Sequence, residues 1–272
     1  MKKIKKIKYS ISTDKNISKR LVHISDLHYY KKKDLILLNR MKEEIKDLKP
    51  NYILITGDFI DHDKIKVDPF IEWMRDFGKI APIFLSIGNH DTGNVHLRSD
   101  ESNKIFRTLN RLPNIEVLDN KKREIDNICI TGVTIPDEAY HENKSAMISM
   151  KRALQDLNIR TIDTKKFNIV LCHSPYIAVI PDIWKLQLFQ KSDLILSGHT
   201  HGGLTPKWLY DLLGKRSLLS PVKRPFPRYS QGYYKEYHLI INSAVKKLAH
   251  SSHAEFFDRF TFSEITVIDI NK

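Results

Sequence analysis

Apolar positions fall into two rhythms along the chain. Leu21 to Ser25, Tyr52 to Thr56 and Ile83 to Ile87 are compact apolar runs and read as strands. Between the first two, Leu35, Leu38, Met41, Ile45 and Leu48 recur at helical spacing until Pro50 stops the pattern. Asp68-Pro69 reads as an N-cap followed by proline at the first helical position. It opens a short helix with Phe70, Trp73 or Met74, and Phe77 inward, which Gly78 ends. Ile105, Leu109 and Leu112 mark a third helix. This β-α repetition predicts an α/β core.

From Ile115 to Ile135 the alternation gives way to three short strands, with Asp126-Asn127 as the turn between two of them. Met147, Met150, Leu154 and Leu157 predict another helix. Phe167 to Cys172, Leu194 to Ser197, Tyr237 to Asn242 and Thr261 to Ile270 again read as strands. Together these predict a mixed sheet, or two packed sheets, rather than a purely parallel one. No Gly/Ser/Pro-rich linker divides the chain and no internal repeat is visible, so one domain over residues 1–272 is expected.

Composition narrows the class. At 272 residues with 41% hydrophobic and 28% charged side chains, the chain can build a sizeable core, which excludes low-complexity and largely disordered readings. Its two cysteines, Cys129 and Cys172, lie inside apolar runs and are expected to be buried thiols in a reducing compartment rather than a disulfide. The basic start has no apolar stretch of about 7–15 residues behind it, and no run of about 18 apolar residues occurs. Neither export nor membrane spanning is indicated, so a cytoplasmic protein is expected. The net charge of +13 suits anionic partners: a phosphorylated small molecule, nucleic acid or an acidic membrane surface. The N-terminal Lys2, Lys3, Lys5, Lys6 and Lys8 fit a peripheral membrane contact, or equally a solvated edge strand protected from pairing.

Candidate chemistry lies just past the end of each apolar run. The runs lead into Ser25-Asp26-Leu27-His28, Gly57-Asp58-Phe59-Ile60-Asp61, Gly88-Asn89-His90-Asp91, His173-Ser174-Pro175 and Gly198-His199-Thr200-His201. In open α/β sheets ligands bind beyond the carboxyl ends of the strands, so these five segments are expected on one rim. Asp26/His28 and His199/His201 are i, i+2 pairs, which in extended backbone point to the same side and address one site. Asp26, His28, Asp58, Asn89, His173, His199 and His201 make seven oxygen and nitrogen donors, too many for one tetrahedral zinc but suited to two divalent ions. The absence of thiolates argues against a structural zinc site or an iron–sulfur cluster, and the donor mixture suits Mn²⁺, Fe or Zn²⁺. Two such ions about 3.5–4 Å apart activate a bridging hydroxide and clamp the oxygens of an in-line displacement at phosphorus. Asp58 is the expected bridging carboxylate. His90 is expected to face the phosphoryl group, with Asp91 orienting its imidazole.

These blocks, in this order, resemble the signature of the calcineurin-like metallophosphoesterases over residues 26 to 201. The resemblance implies a four-layer α/β/β/α sandwich, two mixed sheets face to face with helices outside. It places one ion on Asp26, His28, Asp58 and His201 and the other on Asp58, Asn89, His173 and His199, with His90 and Asp91 catalytic and Asp61 supporting. Ile24 to His28, Ile55 to Asp61, Gly198 to Gly203 and Arg228-Tyr229-Ser230 with Gly232 are similar to the bacterial phosphodiesterase branch that includes enzymes acting on UDP-2,3-diacylglucosamine. The expected activity is hydrolysis of a phosphodiester or pyrophosphate, with a phosphomonoester also open. The expected substrate is a small anionic phosphoester such as a nucleotide-sugar or lipid head group. The alternatives are a nuclease of the same family and a catalytically silent metal-binding scaffold. Residues 204–231 interleave Lys207, Lys215, Arg216, Lys223, Arg224 and Arg228 with Trp208, Tyr210, Phe226 and Tyr229, which fits a wall that grips phosphates and rings, or equally an amphipathic surface helix with a solvated basic loop.

Overall fold

The computed structural model describes residues 3–61, 66–92, 100–135, 140, 162–175, 180–205, 209, 212–213, 229–246 and 262–272. Two six-stranded sheets carry the fold. The first holds β1 (Lys3–Ser12), β2 (Lys19–Ile24), β3 (Tyr52–Thr56), β4 (Ile83–Ser86), β5 (Ile115–Val117) and β12 (Phe262–Asn271), in the order β1-β12-β2-β3-β4-β5. The second holds β6 (Lys121–Ile125), β7 (Ile128–Val133), β8 (Phe167–Cys172), β9 (Leu194–Ser197), β10 (Gly232–Tyr234) and β11 (Leu239–Ile241), in the order β10-β11-β9-β8-β7-β6. β2 to β5 run parallel, as do β7, β8, β9 and β11, while β12–β2, β6–β7 and β10–β11 are antiparallel. Both sheets are therefore mixed.

Each strand splits its apolar residues between two cores because successive side chains point to opposite faces. Leu21, Leu54 and Phe84 of the first sheet meet Ile130, Ile169, Leu171, Leu194, Leu196 and Ile240 of the second. Ile53, Ile55, Ile83 and Leu85 turn outward against α1 (Leu35–Asp47), α2 (Asp68–Phe77) and α3 (Asp100–Leu109). Val170, Cys172, Ile195 and Ile241 pack against α4 (Pro181–Trp184) and α5 (Gln187–Gln190). The layers are α/β/β/α. Strands buried on both faces explain the unbroken apolar runs, each fully buried Leu or Ile contributing about 1.5–3 kcal/mol.

The expected inward residues of α1 and α2 are buried: Leu38, Met41 and Ile45, then Phe70, Trp73, Met74 and Phe77. The N-cap differs by one position. Val67 caps α2 without a side-chain bond, and Asp68 is the first helical residue with its charge in the first turn. The three strands read from Ile115 to Ile135 are β5, β6 and β7, with Asp126 at φ 49° in the turn, but β5 belongs to one sheet and β6–β7 to the other. The chain changes sheets between them. Cys129 and Cys172 are free and buried. The helix read from Met147 to Leu157 and most of the basic-aromatic segment, including Lys207, Trp208, Tyr210, Lys215, Arg216, Lys223, Arg224, Phe226 and Arg228, lie outside the described residues, as does Lys2. No helix among the described residues is long and apolar enough to cross a membrane.

Candidate metal centre

Parallel strands from both sheets end on one rim, and the five predicted segments meet there. The segments after β2 and β3 are laced together by main-chain bonds: the N–H groups of Asp26, His28 and Tyr29 donate to the carbonyls of Gly57, Asp58 and Phe59 at 3.2, 2.9 and 3.0 Å. Two of the glycines that precede donors leave room for them. A Cβ on Gly88 would stand 2.2 Å from Asp58 Oδ1, and one on Gly198 would stand 1.7 Å from Ser25 Oγ and 2.5 Å from Asp26 Oδ2.

Three groups of donors form, each with its ligand atoms within 4.8 Å of one another: Asp26, His28 and His201; Asp58, His173 and His199; and His28, Asp61 and His90, of which the first two are built from the predicted ligands alone. In the first, His28 Nε2 lies 3.8 Å and His201 Nε2 3.4 Å from Asp26 Oδ1. In the second, His173 Nε2 lies 3.0 Å from Asp58 Oδ2 and 3.3 Å from His199 Nδ1. Asp58 reaches both, since its Oδ2 is also 3.7 Å from His28 Nε2. Asn89 sits in the same loop, between Gly88 and His90, whose N–H donates to Asp58 Oδ1 at 2.9 Å.

The extended-backbone reading of the i, i+2 pairs is corrected. Asp26 (φ 54°), His28 (φ 43°), Asp58 (φ 50°), His199 (φ 68°) and His201 (φ 50°) all adopt left-handed backbone. That conformation costs on the order of 1 kcal/mol or more per residue. It curls the chain around the rim, so His199 and His201 fall into different groups instead of addressing one.

The electrostatics divide the imidazoles. Burial opposes charge on Asp26 and Asp58, yet the surrounding imidazoles hold both below the usual carboxylate range. Burial pushes His199 down to about 3 and His201 down to about 4, keeping them as neutral imidazoles, the form that binds metal. Burial also works against a charged His173, but Asp58 overrides it and raises the ring to about 10. Two fully buried atoms of the first group, Asp26 Oδ1 and His28 Nε2, have no hydrogen-bond partner among the described residues. Such orphans are costly when buried and are what a cation would satisfy. The donor set fits divalent metal.

His90 is more open, its side chain 39% exposed. Here the expectation for Asp91 is corrected. The Asp91 carboxylate accepts the N–H groups of Asp58, Phe59, Ile60 and Gly88, at 2.8 to 3.1 Å, so it fixes the loop that carries Asp58 rather than the imidazole. Burial and the Asp58 charge push Asp91 up to about 8 while those donors pull the other way. It is Asp61 that orients both rings: its carbonyl accepts from His90 Nδ1 at 2.8 Å and its carboxylate from His28 Nδ1 at 3.0 Å. Burial lowers the pKa of His90, but Asp58 and Asp61 outweigh it and the net shift is upward.

Comparison with known proteins fits this geometry. The family model described as calcineurin-like phosphoesterase matches residues 19–203, more than half of the chain. The chain belongs to that family. Relatives within it include an uncharacterized metallophosphoesterase of Campylobacter jejuni, 27% identical over 68% of this chain and 44% of its own length, and one of Aquifex aeolicus, 26% identical over 72% and 69%. The UDP-2,3-diacylglucosamine pyrophosphatase of Chlamydia trachomatis is 26% identical over 67% of this chain and 63% of its own length. The chain thus spans less than two thirds of the length of two of these three relatives.

Sequence reasoning missed two contributors. Tyr140 lays its ring 5.1 Å from that of His199 and 6.1 Å from that of His173. The second is a sixth segment, Asn242 to Lys246, which leaves β11 on the same rim. β11 runs parallel to β9, and the polar Asn242-Ser243 after an apolar strand is the same signal that marked the other five.

Proposed function

We propose that the chain is a divalent-metal-dependent phosphoesterase that hydrolyses a phosphodiester or pyrophosphate. The observation that carries the reading is the gathering of Asp26, His28, Asp58, His173, His199 and His201 from both sheets into two adjoining groups, with Asp26 Oδ1 and His28 Nε2 buried and without a hydrogen-bond partner among the described residues. Asp26, His28, Asp58 and His201 would hold one ion and Asp58, Asn89, His173 and His199 the other. Two bound divalent ions supply Lewis acidity and an activated water at neutral pH.

The chain's own side chains complete the task. Asp58 sets the distance between the two groups. His90, with Nδ1 tied to the Asp61 carbonyl, keeps the opposite edge of its ring for the substrate's phosphoryl or leaving oxygen. Asp91 locks the loop that aims Asp58. Support for a nucleotide-sugar or lipid-linked substrate comes from the Chlamydia trachomatis relative, which by its name acts on UDP-2,3-diacylglucosamine. The test is hydrolysis of bis-p-nitrophenyl phosphate with added Mn²⁺, then of UDP-2,3-diacylglucosamine. Turnover in Mn²⁺ that disappears with chelator is expected, and no turnover with any divalent metal refutes the reading. The net charge of +13 favours a second reading, a nuclease, for which DNA binding would fall steeply with salt.

A further inference from the structure

Lys246 touches every member of the Asp26–His28–His201 group. Its backbone N–H donates to the Asp26 carbonyl at 3.1 Å. Its carbonyl accepts from His201 Nδ1 at 2.9 Å, which places the hydrogen on Nδ1 and leaves the Nε2 lone pair facing Asp26 Oδ1. Its ammonium donates to the His28 carbonyl at 2.8 Å and pairs with Asp34 Oδ2 at 3.2 Å. Asp34 in turn accepts the N–H groups of Tyr30 and Lys31 at 2.9 and 3.1 Å, closing the turn just after His28.

A surface lysine paired with one carboxylate would hold little, about 0–1 kcal/mol. Lys246 differs in that its side chain is only 15% exposed and ends on the main chain of a donor residue. The three donors it holds all sit in left-handed backbone, so the group has conformational energy to release if its supports are withdrawn. The Asp58–His173–His199 group has a different support: His173 Nδ1 is tied to the Thr56 carbonyl at 2.8 Å.

We propose that Lys246 is a positioning residue that sets the cation affinity of the Asp26–His28–His201 half-site selectively. The ammonium holds the His28 carbonyl, and Asp34 balances its charge so that a lysine can stand beside a cation-binding group. The proposal rests on the metal reading above and adds that each half has a support of its own beside the links the two share, Asp58 and the His199 N–H that donates to Asp26 Oδ2 at 3.1 Å.

Calorimetric titration of the full chain with Mn²⁺, alongside electron paramagnetic resonance, tests it. Wild type is expected to take two ions per chain. Lys246→Met keeps the main-chain contacts and removes only the ammonium, and should weaken one of the two affinities by about 10- to 100-fold while leaving the other within about twofold. Lys246→Arg, which keeps a cationic donor, should recover part of the loss. Two unchanged affinities in Lys246→Met overturn the proposal and leave the metal reading intact. Equal weakening of both, with a lower melting temperature in chelator, indicates a general structural role and overturns it as well. A wild-type chain that binds no Mn²⁺ under any condition overturns the metal reading and this proposal together.

Discussion

The two donor groups contain similar chemistry held in opposite ways. In Asp26–His28–His201 the ligand atoms stand apart, at 3.4 and 3.8 Å, and two of them lack hydrogen-bond partners among the described residues. In Asp58–His173–His199 the same kinds of atom bond to one another, at 3.0 and 3.3 Å. The first group is kept open by supports outside it, Asp61 and Lys246, while the second is closed on itself and braced by a strand carbonyl. The contrast teaches that a donor set is defined as much by what prevents its members from pairing as by the members themselves.

Asp58→Ala should erase the contrast altogether, because that carboxylate serves both groups. Hydrolysis of bis-p-nitrophenyl phosphate is expected to fall at least about a thousandfold, roughly 4 kcal/mol of barrier, with loss of bound metal by elemental analysis. Undiminished turnover would remove Asp58 from the centre. His90→Ala should leave both groups loaded yet cut kcat by about 10²- to 10⁴-fold; metal lost along with turnover would make His90 a ligand instead.

Asp91→Ala leaves four buried N–H groups around Asp58 without their acceptor, at about 1–3 kcal/mol for each that finds no substitute. A drop of at least about 3 kcal/mol in unfolding free energy from denaturant titration is expected, partly recovered in Asp91→Asn. A wild-type unfolding curve would show that water replaces the carboxylate.

The smallest effect comes from beneath both groups. His23 points between the sheets, its Nε2 2.8 Å from Thr56 Oγ1, and burial lowers it to about 3. Its folded pKa is below its unfolded value, so the unfolded chain takes up the proton first. Its contribution is fully present above about pH 6.5 and is lost as pH falls toward 3, about 2 kcal/mol by pH 5. Stability measured at pH 8 and pH 5 should differ by about that much less in His23→Gln; an unchanged difference would assign the acid sensitivity elsewhere.

Much of the site is legible in the amino-acid sequence. Apolar runs ending in Asp, Asn or His, with Gly before three of the polar clusters, locate the rim because strands buried on both faces leave no ambiguity about where polarity begins. The role expected of Asp91 fails because adjacency to His90 in sequence says nothing of the fan of N–H groups that folding brings to its carboxylate. The left-handed backbone at Asp26, His28, His199 and His201 is invisible for a related reason: these residue types do not demand it, and it goes with contacts between loops, main-chain bonds at Asp26 and His28 and bonds to the Asp26 carboxylate and the Lys246 carbonyl at His199 and His201. Lys246 stands 45 residues beyond His201 with no motif around it, and its role depends on β11 lying parallel beside β9. The four-residue helices α4 and α5 are too short to show a period.

The change of sheet between β5 and β6 gives the layout a mechanical meaning. Leu118 presses so closely on Gly132 that a Cβ there would stand 2.1 Å from its carbonyl oxygen, which locks one layer against the other at that end. At the rim the layers meet through their donors, Asp26, His28 and Asp58 from one and His173, His199 and His201 from the other. Cations bound between them would act as rivets, so loading should raise the melting temperature of the whole sandwich, each ion adding about 2.7 kcal/mol of stability at a free concentration about one hundred times its Kd.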